Sequence, residues 1–282
     1  MDEREVVQKL EREYHRLTKG QQRLAAYVSE NPFVLGMVSA QELADAVGVS
    51  ESTVFRFAQA LGYSGYFEMK QDLQKAIMAV PRSSEKLRET ISQLEGRGEY
   101  LKEFIEGHRQ ALDFLETSLS SEGLEKAARR IVNADTVYLY GEGSALVPVT
   151  EVAFWLRRLG KTVFPISETG RNLFDQIMHI TNGDAVVGFA FRRINQELEI
   201  LFQEAQSRGA STILVTDRSL SDINRYSDEI LTIRRGAVGQ FRSMAIPVLL
   251  GDALLLTVAK LDEPRLQHLQ ELEELRTKYG FS

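Results

Sequence analysis

Residues 40–59 read AQELADAVGVSESTVFRFAQ, and the first third of the chain takes its architecture from them. Ser39, followed three residues later by Glu42, has capping-box form and opens a helix. That helix ends where Gly48 can take a positive φ. Ser50 caps a second helix, which stops at Gly62. On a helical wheel, Phe57, Ala58 and Leu61 fall with Val54, while Ser52, Arg56 and Gln59 fall opposite. The second helix is therefore half core and half polar. In the first, Leu43, Ala44 and Val47 face inward, and the small Ala44 lets the two helices approach closely. A sharp turn at Gly48 between such helices suits a helix-turn-helix, although an ordinary αα-hairpin uses the same small residue and glycine.

Outward from this segment the chain stays helical. Val6, Leu10, Tyr14 and Leu17 sit at helical spacing over residues 3–16. Thr18 with Gln21 opens a helix through Leu24, Tyr27 and Val28. Asn31 before Pro32 predicts a short helix to about Met37, and Tyr66 to Ala79 a last one before Pro81. Residues 82–99 read as a linker with some helical content. Residues 100–119 form an amphipathic helix with Leu101, Phe104, Ile105, Leu112 and Leu115 on one side, and Ser121 caps the next helix, to about Val132.

From Thr136 the pattern changes to short apolar runs between helical stretches. Val137–Tyr140, Val163–Ile166, Ala185–Phe189, Thr212–Val215 and Glu229–Ile233 are five candidate strands, whose near-continuous apolar character suits burial on both faces. The expected fold is an all-α N-terminal domain followed by an α/β domain with a five-stranded, parallel, doubly wound sheet. The expected boundaries are residues 1–80 for the helical domain, 81–120 for linker and connecting helix, and 121–282 for the α/β domain.

Composition limits the chemistry. With 282 residues, 43% hydrophobic and 26% charged, the chain is long enough for about two globular domains. It has no cysteine, which excludes disulfides, thiol nucleophiles and thiolate-held metals. The 4 histidines, His15, His108, His179 and His268, lie at no metal-ligand spacing. Neither a metal nor a cofactor is expected. The opening Asp2, Glu3, Arg4 and Glu5 lack the apolar core of a signal peptide, and Met244 to Ala259 is interrupted by Asp252 and too short for a membrane span. A cytoplasmic protein with no membrane partner is expected. The net charge of −6 is spread evenly: residues 1–80 carry 9 Lys+Arg against 11 Asp+Glu, 81–126 carry 7 against 10, and 127–282 carry 18 against 19. Any DNA contact must rest on a few placed groups rather than a basic field.

Residues 17–75, with LTKGQQRLAAYVSENP and then SAQELADAVGVSESTVFRFAQALGYSGYFEMKQDL, resemble the N-terminal domain of RpiR-type bacterial transcriptional regulators. The matching features are the Leu-Thr opening, the Asn-Pro, the Ser-x-x-Glu-Leu-Ala, the Gly-Val-Ser and the Arg-Phe through Leu-Gly-Tyr-Ser-Gly-Tyr run. Residues 127–265 resemble more weakly the sugar isomerase (SIS) domain of that family, whose sheet is flavodoxin-like. The resemblance implies double-stranded operator DNA as one partner. Ser39, Gln41, Ser50, Ser52, Thr53, Arg56 and Gln59 are the candidate contacts to bases and phosphates. It also implies a small anionic effector, a phosphosugar or related carbohydrate-pathway compound, and pairing into a homodimer or homotetramer through helices near residues 100–119 and 241–260.

The candidate effector site begins at Gly141, Gly143 and Ser144 after the first strand, where glycines and a helix N-terminus favour an anion. Ser167 follows the second strand, and Thr216 and Ser219 the fourth. After the third strand the chain departs from the SIS pattern. Where phosphosugar binders carry a Ser-x-Ser-Gly-x-Thr loop, it has Ala190-Phe191-Arg192-Arg193-Ile194-Asn195. Arg192 and Arg193, with Asn195, would clamp an altered anion; alternatively the pocket serves only dimerisation, or the arginines face solvent. Arg234 and Arg235 read as solvated surface. An isomerase needs a general base, for which His179, Glu142, Glu168 and Glu197 are available, but a DNA module has no role in one. No catalytic residue is therefore assigned. The runner-up readings are that enzyme and a DNA-binding dimer without ligand.

Overall fold

A computed structural model describes residues 13–30, 38–78, 100–191, 194–218, 221–235 and 242–281, and the chain divides into an N-terminal helical unit and a C-terminal α/β unit. The short helix expected after Pro32 and the linker at 82–99 lie outside the described residues, as does most of the first expected helix, of which the 3-10 turn Tyr14–Arg16 is described.

In the helical unit, α1 (Lys19–Glu30), α2 (Ala40–Val47), α3 (Glu51–Ala60) and α4 (Tyr66–Met78) enclose one core. Leu24, Leu43, Ala44, Val54, Phe57, Ala58 and Met69 are fully buried in it. The wheel drawn from sequence thus places the inner face of α3 correctly. Full burial of a side chain such as Phe57 contributes about 1.5–3 kcal/mol. Gly48 ends α2 at φ +67, and the Arg23 guanidinium donates to its carbonyl at 3.2 Å, tying α1 to the turn. The Val38 carbonyl accepts from the Tyr66 hydroxyl at 3.0 Å and from Lys70 Nζ at 2.8 Å, which fixes the entry to α2.

The α/β unit opens with α5 (Tyr100–Ser118) and α6 (Ser121–Asn133). The cap of α6 is Ser120, whose side chain accepts from the Gly123 amide at 3.0 Å, one residue before the serine expected from sequence. The strands are β1 (Thr136–Gly141), β2 (Thr162–Ile166), β3 (Ala185–Ala190), β4 (Ser211–Thr216) and β5 (Glu229–Thr232). They are all parallel, in the order β2-β1-β3-β4-β5. Helices α7 (Leu146–Arg158), α8 (Asn172–Ile177) and α9 (Gln196–Ser207) follow β1, β2 and β3, whereas a 3-10 turn, Asp222–Tyr226, joins β4 to β5. After β5 come α10 (Ala245–Leu261) and α11 (Leu266–Lys278).

Alternate side chains of the sheet feed two cores. Val137, Leu139, Val187, Phe189, Ile213 and Val215 pack with α6, α7 and α10; Tyr138, Tyr140, Val186 and Leu214 pack with α8 and α9. The three inner strands are buried on both faces, as their continuous apolar runs predict. The two outer ones are not: β2 alternates, with Phe164 exposed, and β5 is half-buried, because an edge strand has a neighbour on one side only. On α7 the single tryptophan, Trp155, is partly exposed beside Phe154, donates its indole N–H to Glu151 at 2.8 Å and lies under the Arg158 guanidinium. Among the described residues no helix is long and apolar enough to cross a membrane, and no cluster of His, Asp or Glu could hold a metal.

Candidate functional site

Two surfaces carry candidate functional side chains. The first is the outer face of α3, where Ser52, Arg56 and Gln59 are exposed and Thr53 is half-buried. Ser50 stands at the N-cap position without capping the helix: its hydroxyl bonds instead to those of Ser52 at 2.9 Å and Thr53 at 2.8 Å. Arg56 folds back one turn, donating from Nε to the Ser52 carbonyl and from Nη2 to its hydroxyl, both at 3.3 Å. Three hydroxyls and one guanidinium therefore gather at the amino end of α3, the end whose free N–H groups attract phosphate. Two candidates on α2 are otherwise engaged. The Ser39 hydroxyl accepts from the Glu42 amide at 3.2 Å while the Ser39 amide donates to the Glu42 carboxylate at 2.6 Å, so the capping box is complete. Gln41 donates to Asp45 at 3.0 Å.

The second surface is a cleft of about 160 Å³ lined by Tyr140, Glu142, Ser144, Ala145, Phe189, Ala190, Phe191, Asn195 and Arg235. It opens where β1 and β3 end. Those neighbours lead to opposite sides of the sheet order, so the cleft lies at the topological switch point of the fold. Gly141 ends β1 there because a Cβ would come within 2.8 Å of the Ala145 carbonyl oxygen and of Val149 Cγ2. Gly143 takes φ +58 as the chain turns into the 3-10 turn Gly143–Ala145 that precedes α7. Both glycines shape the loop; its lining side chains are Glu142 and Ser144.

Asn195 is engaged at both ends of its amide. Its carbonyl oxygen caps α9 by accepting from the Leu198 amide at 3.0 Å, and its amide nitrogen donates to the Tyr140 hydroxyl and, at 2.8 Å, to Glu142 Oε2. Burial raises the Tyr140 phenol above its ordinary value, partly offset by the Asn195 hydrogen bond. Arg235, expected as solvated surface, is instead buried against the cleft. Its Nε and Nη2 donate to Asp217 Oδ2 at 2.9 and 2.8 Å, and its guanidinium lies over the Phe191 ring. Arg234 is exposed as expected, over the ring of Phe114.

The remaining candidates fall elsewhere. Ser167 is exposed and its amide donates to Gln176; Thr216 is buried, with its hydroxyl accepting from the Arg218 amide. Neither lines the cleft. Arg192, Arg193 and Ser219 lie outside the described residues. Of the four candidate bases only Glu142 reaches the cleft; His179 is on the turn before β3, at the opposite edge of the sheet. Sequence reasoning missed Tyr140 and Phe191 as lining residues and misjudged Arg235. A signal existed for Tyr140, a polar-tipped residue at the carboxyl end of an inner strand, but none for the pairing of Arg235 with Asp217 across 18 residues.

Known proteins share both units. Residues 4–79 match the helix-turn-helix domain of the rpiR family, and residues 130–256 match the SIS domain. An HTH-type transcriptional regulator of Caldanaerobacter subterraneus subsp. tengcongensis is 27% identical over 250 residues, 86% of this chain and 86% of its own. The Vibrio vulnificus NanR protein, solved in complex with ManNAc-6P, has the same fold at TM-score 0.58 and 19% identity, covering 97% of this chain and 98% of its own. The sugar isomerase domain of an RpiR transcription factor from Sphaerobacter thermophilus gives 0.57 at 24%, over 62% of this chain and 99% of its own. A helix-turn-helix unit joined to a parallel α/β unit with a switch-point cleft defines a two-domain transcriptional regulator. The chain belongs to the RpiR-type regulators.

Proposed function

We propose that the chain is a homo-oligomeric regulator in which α3 reads operator DNA and the switch-point cleft takes a small anionic metabolite, a phosphosugar or related compound, that changes operator affinity. The observation carrying this reading is the cleft itself, at the carboxyl ends of β1 and β3, in a chain whose other unit is a helix-turn-helix. The NanR relative solved with ManNAc-6P supports a sugar phosphate as the class. The cationic part of such a site falls to Arg192 and Arg193 from the sequence and to Arg235 in the cleft wall.

Two copies of α3, held by paired α/β units, would meet successive major grooves of a palindromic site. Apolar side chains left exposed on α7 and α10, among them Val147, Phe154, Leu249 and Leu256, offer a surface for pairing. The inner face of α10 is spent on the core, through Ile246, Leu250, Leu254 and Val258, which narrows the contribution expected from that helix. An effector shifts operator affinity only by its differential affinity for the two states, and DNA shifts effector affinity by the same factor.

The test is fluorescence anisotropy of a labelled upstream DNA fragment titrated with full-length protein, with and without a panel of sugar phosphates. A change in operator affinity with at least one of them is expected. Specific DNA binding that no panel member alters overturns the sensor half of the proposal, and no specific DNA binding overturns the whole.

A further inference from the structure

We infer that the Glu142 carboxylate reads the hydroxyl groups of a sugar in the cleft, with Asn195 as the positioning residue that holds it and the Tyr140 phenol as the second contact. The inference rests on the effector reading above and assigns one end of the ligand to named atoms. A side-chain amide has two donor hydrogens and one acceptor oxygen. In Asn195 the oxygen takes the Leu198 amide and the nitrogen serves Tyr140 and Glu142, so no N–H of Asn195 is left for a ligand.

What it holds does have capacity to spare. A carboxylate offers about four lone-pair sites, and the Asn195 amide occupies one of those on Glu142. The Tyr140 oxygen accepts from Asn195, which leaves its own O–H to donate. Both groups line the cleft, with the Phe191 ring on another wall. Charge decides which end of a ligand they take. Among the described residues no cation pairs with Glu142, and the cleft's described cation, Arg235, is held on Asp217. An anionic group beside Glu142 would be repelled, whereas adjacent hydroxyls present the donors that a fixed carboxylate lacks and carry no charge. Hydroxyls therefore face Glu142, and any phosphate lies away from it.

The experiment is isothermal titration calorimetry on the full-length chain with hexose 6-phosphates, their monodeoxy counterparts and inorganic phosphate as probes. The wild type should bind at least one hexose phosphate, and one monodeoxy analogue of it should bind roughly ten- to a hundredfold more weakly, the worth of a hydrogen bond to a charged group. Glu142→Ala should weaken the parent sugar by a similar factor, abolish the difference between parent and that analogue, and leave inorganic phosphate binding unchanged. Asn195→Asp keeps the oxygen that caps α9 but sets a second carboxylate against Glu142, and it should weaken the parent sugar while far-UV circular dichroism stays unchanged. Wild-type binding that Glu142→Ala leaves intact, or weakens equally for every probe, overturns this inference alone. Failure of the wild type to bind any sugar phosphate overturns both it and the effector reading.

Discussion

Gly141 is the residue on which the cleft turns. A methyl group there would meet backbone and the Val149 side chain at 2.8 Å, and neither is the far end of a flexible chain. Gly141→Ala is expected to destabilise the α/β unit by about 1–3 kcal/mol, as overpacking does, lowering its melting temperature in calorimetry. Arg56 lies at the other extreme, exposed and, among the described residues, bonded within its own helix. Arg56→Ala should keep the circular dichroism and melting of the wild type yet lose specific operator binding; normal affinity in that variant would contradict the assignment of α3 as the reading helix. Phe57→Ala, one position on, removes a fully buried ring and should cost about 3–5 kcal/mol, losing DNA binding through unfolding instead. At this scale the sequence was legible wherever side-chain character decides direction, as for Val54, Phe57 and Arg56. It was opaque where a distant partner decides: Arg235 reads like any arginine until Asp217 is beside it, and nothing near Asn195 in sequence shows its bonds to Tyr140 and Glu142.

Among the elements, α2 shows how a local signal becomes stability. Hydrogen bonds from the Ser39 backbone and side chain hold the Glu42 carboxyl below its ordinary value of 4.5. A group depressed in the folded state stabilises fully above its unfolded value and loses that contribution as pH falls through the lower folded one. The helical unit should therefore lose stability on acidification below about pH 4.5, and Ser39→Ala, at a cost near 1 kcal/mol at neutral pH, should make that acid limb shallower while the retained Ser39 N–H keeps part of it. Equal acid dependence in both proteins, followed by urea denaturation across pH, would contradict the argument. Capping boxes were readable because every partner lies within four residues. The shift from Ser121 to Ser120 has the same origin seen from the other side: two adjacent serines offer equivalent caps, and packing of Ala127, Ala128 and Ile131 against the sheet fixes the register. The half-exposed faces of β2 and β5 were not readable, since edge position follows from strand order and not from composition.

For the whole molecule, charge sets the style of DNA binding. The chain carries 34 Lys+Arg against 40 Asp+Glu, and α3 brings one cation, Arg56. Each neutralised phosphate contributes about 0.9 to the slope of log affinity against log salt, so few contacts predict a shallow slope and weak binding to random duplex. Anisotropy titrations over a salt series measure both, and tight binding to random DNA would run against this prediction. The parallel sheet was legible because periodicity changes at Thr136; the cleft lining was not, because it gathers residues from the ends of β1, β3 and β5. The single tryptophan on the outer face of α7 gives this architecture a built-in optical reporter. With red-edge excitation the indole alone emits, and a half-exposed ring beside a carboxylate and a guanidinium emits at long wavelength and is open to quenching by iodide. Should two copies meet through that face, dilution alone would shift the spectrum to the red and restore the quenching, with no label attached.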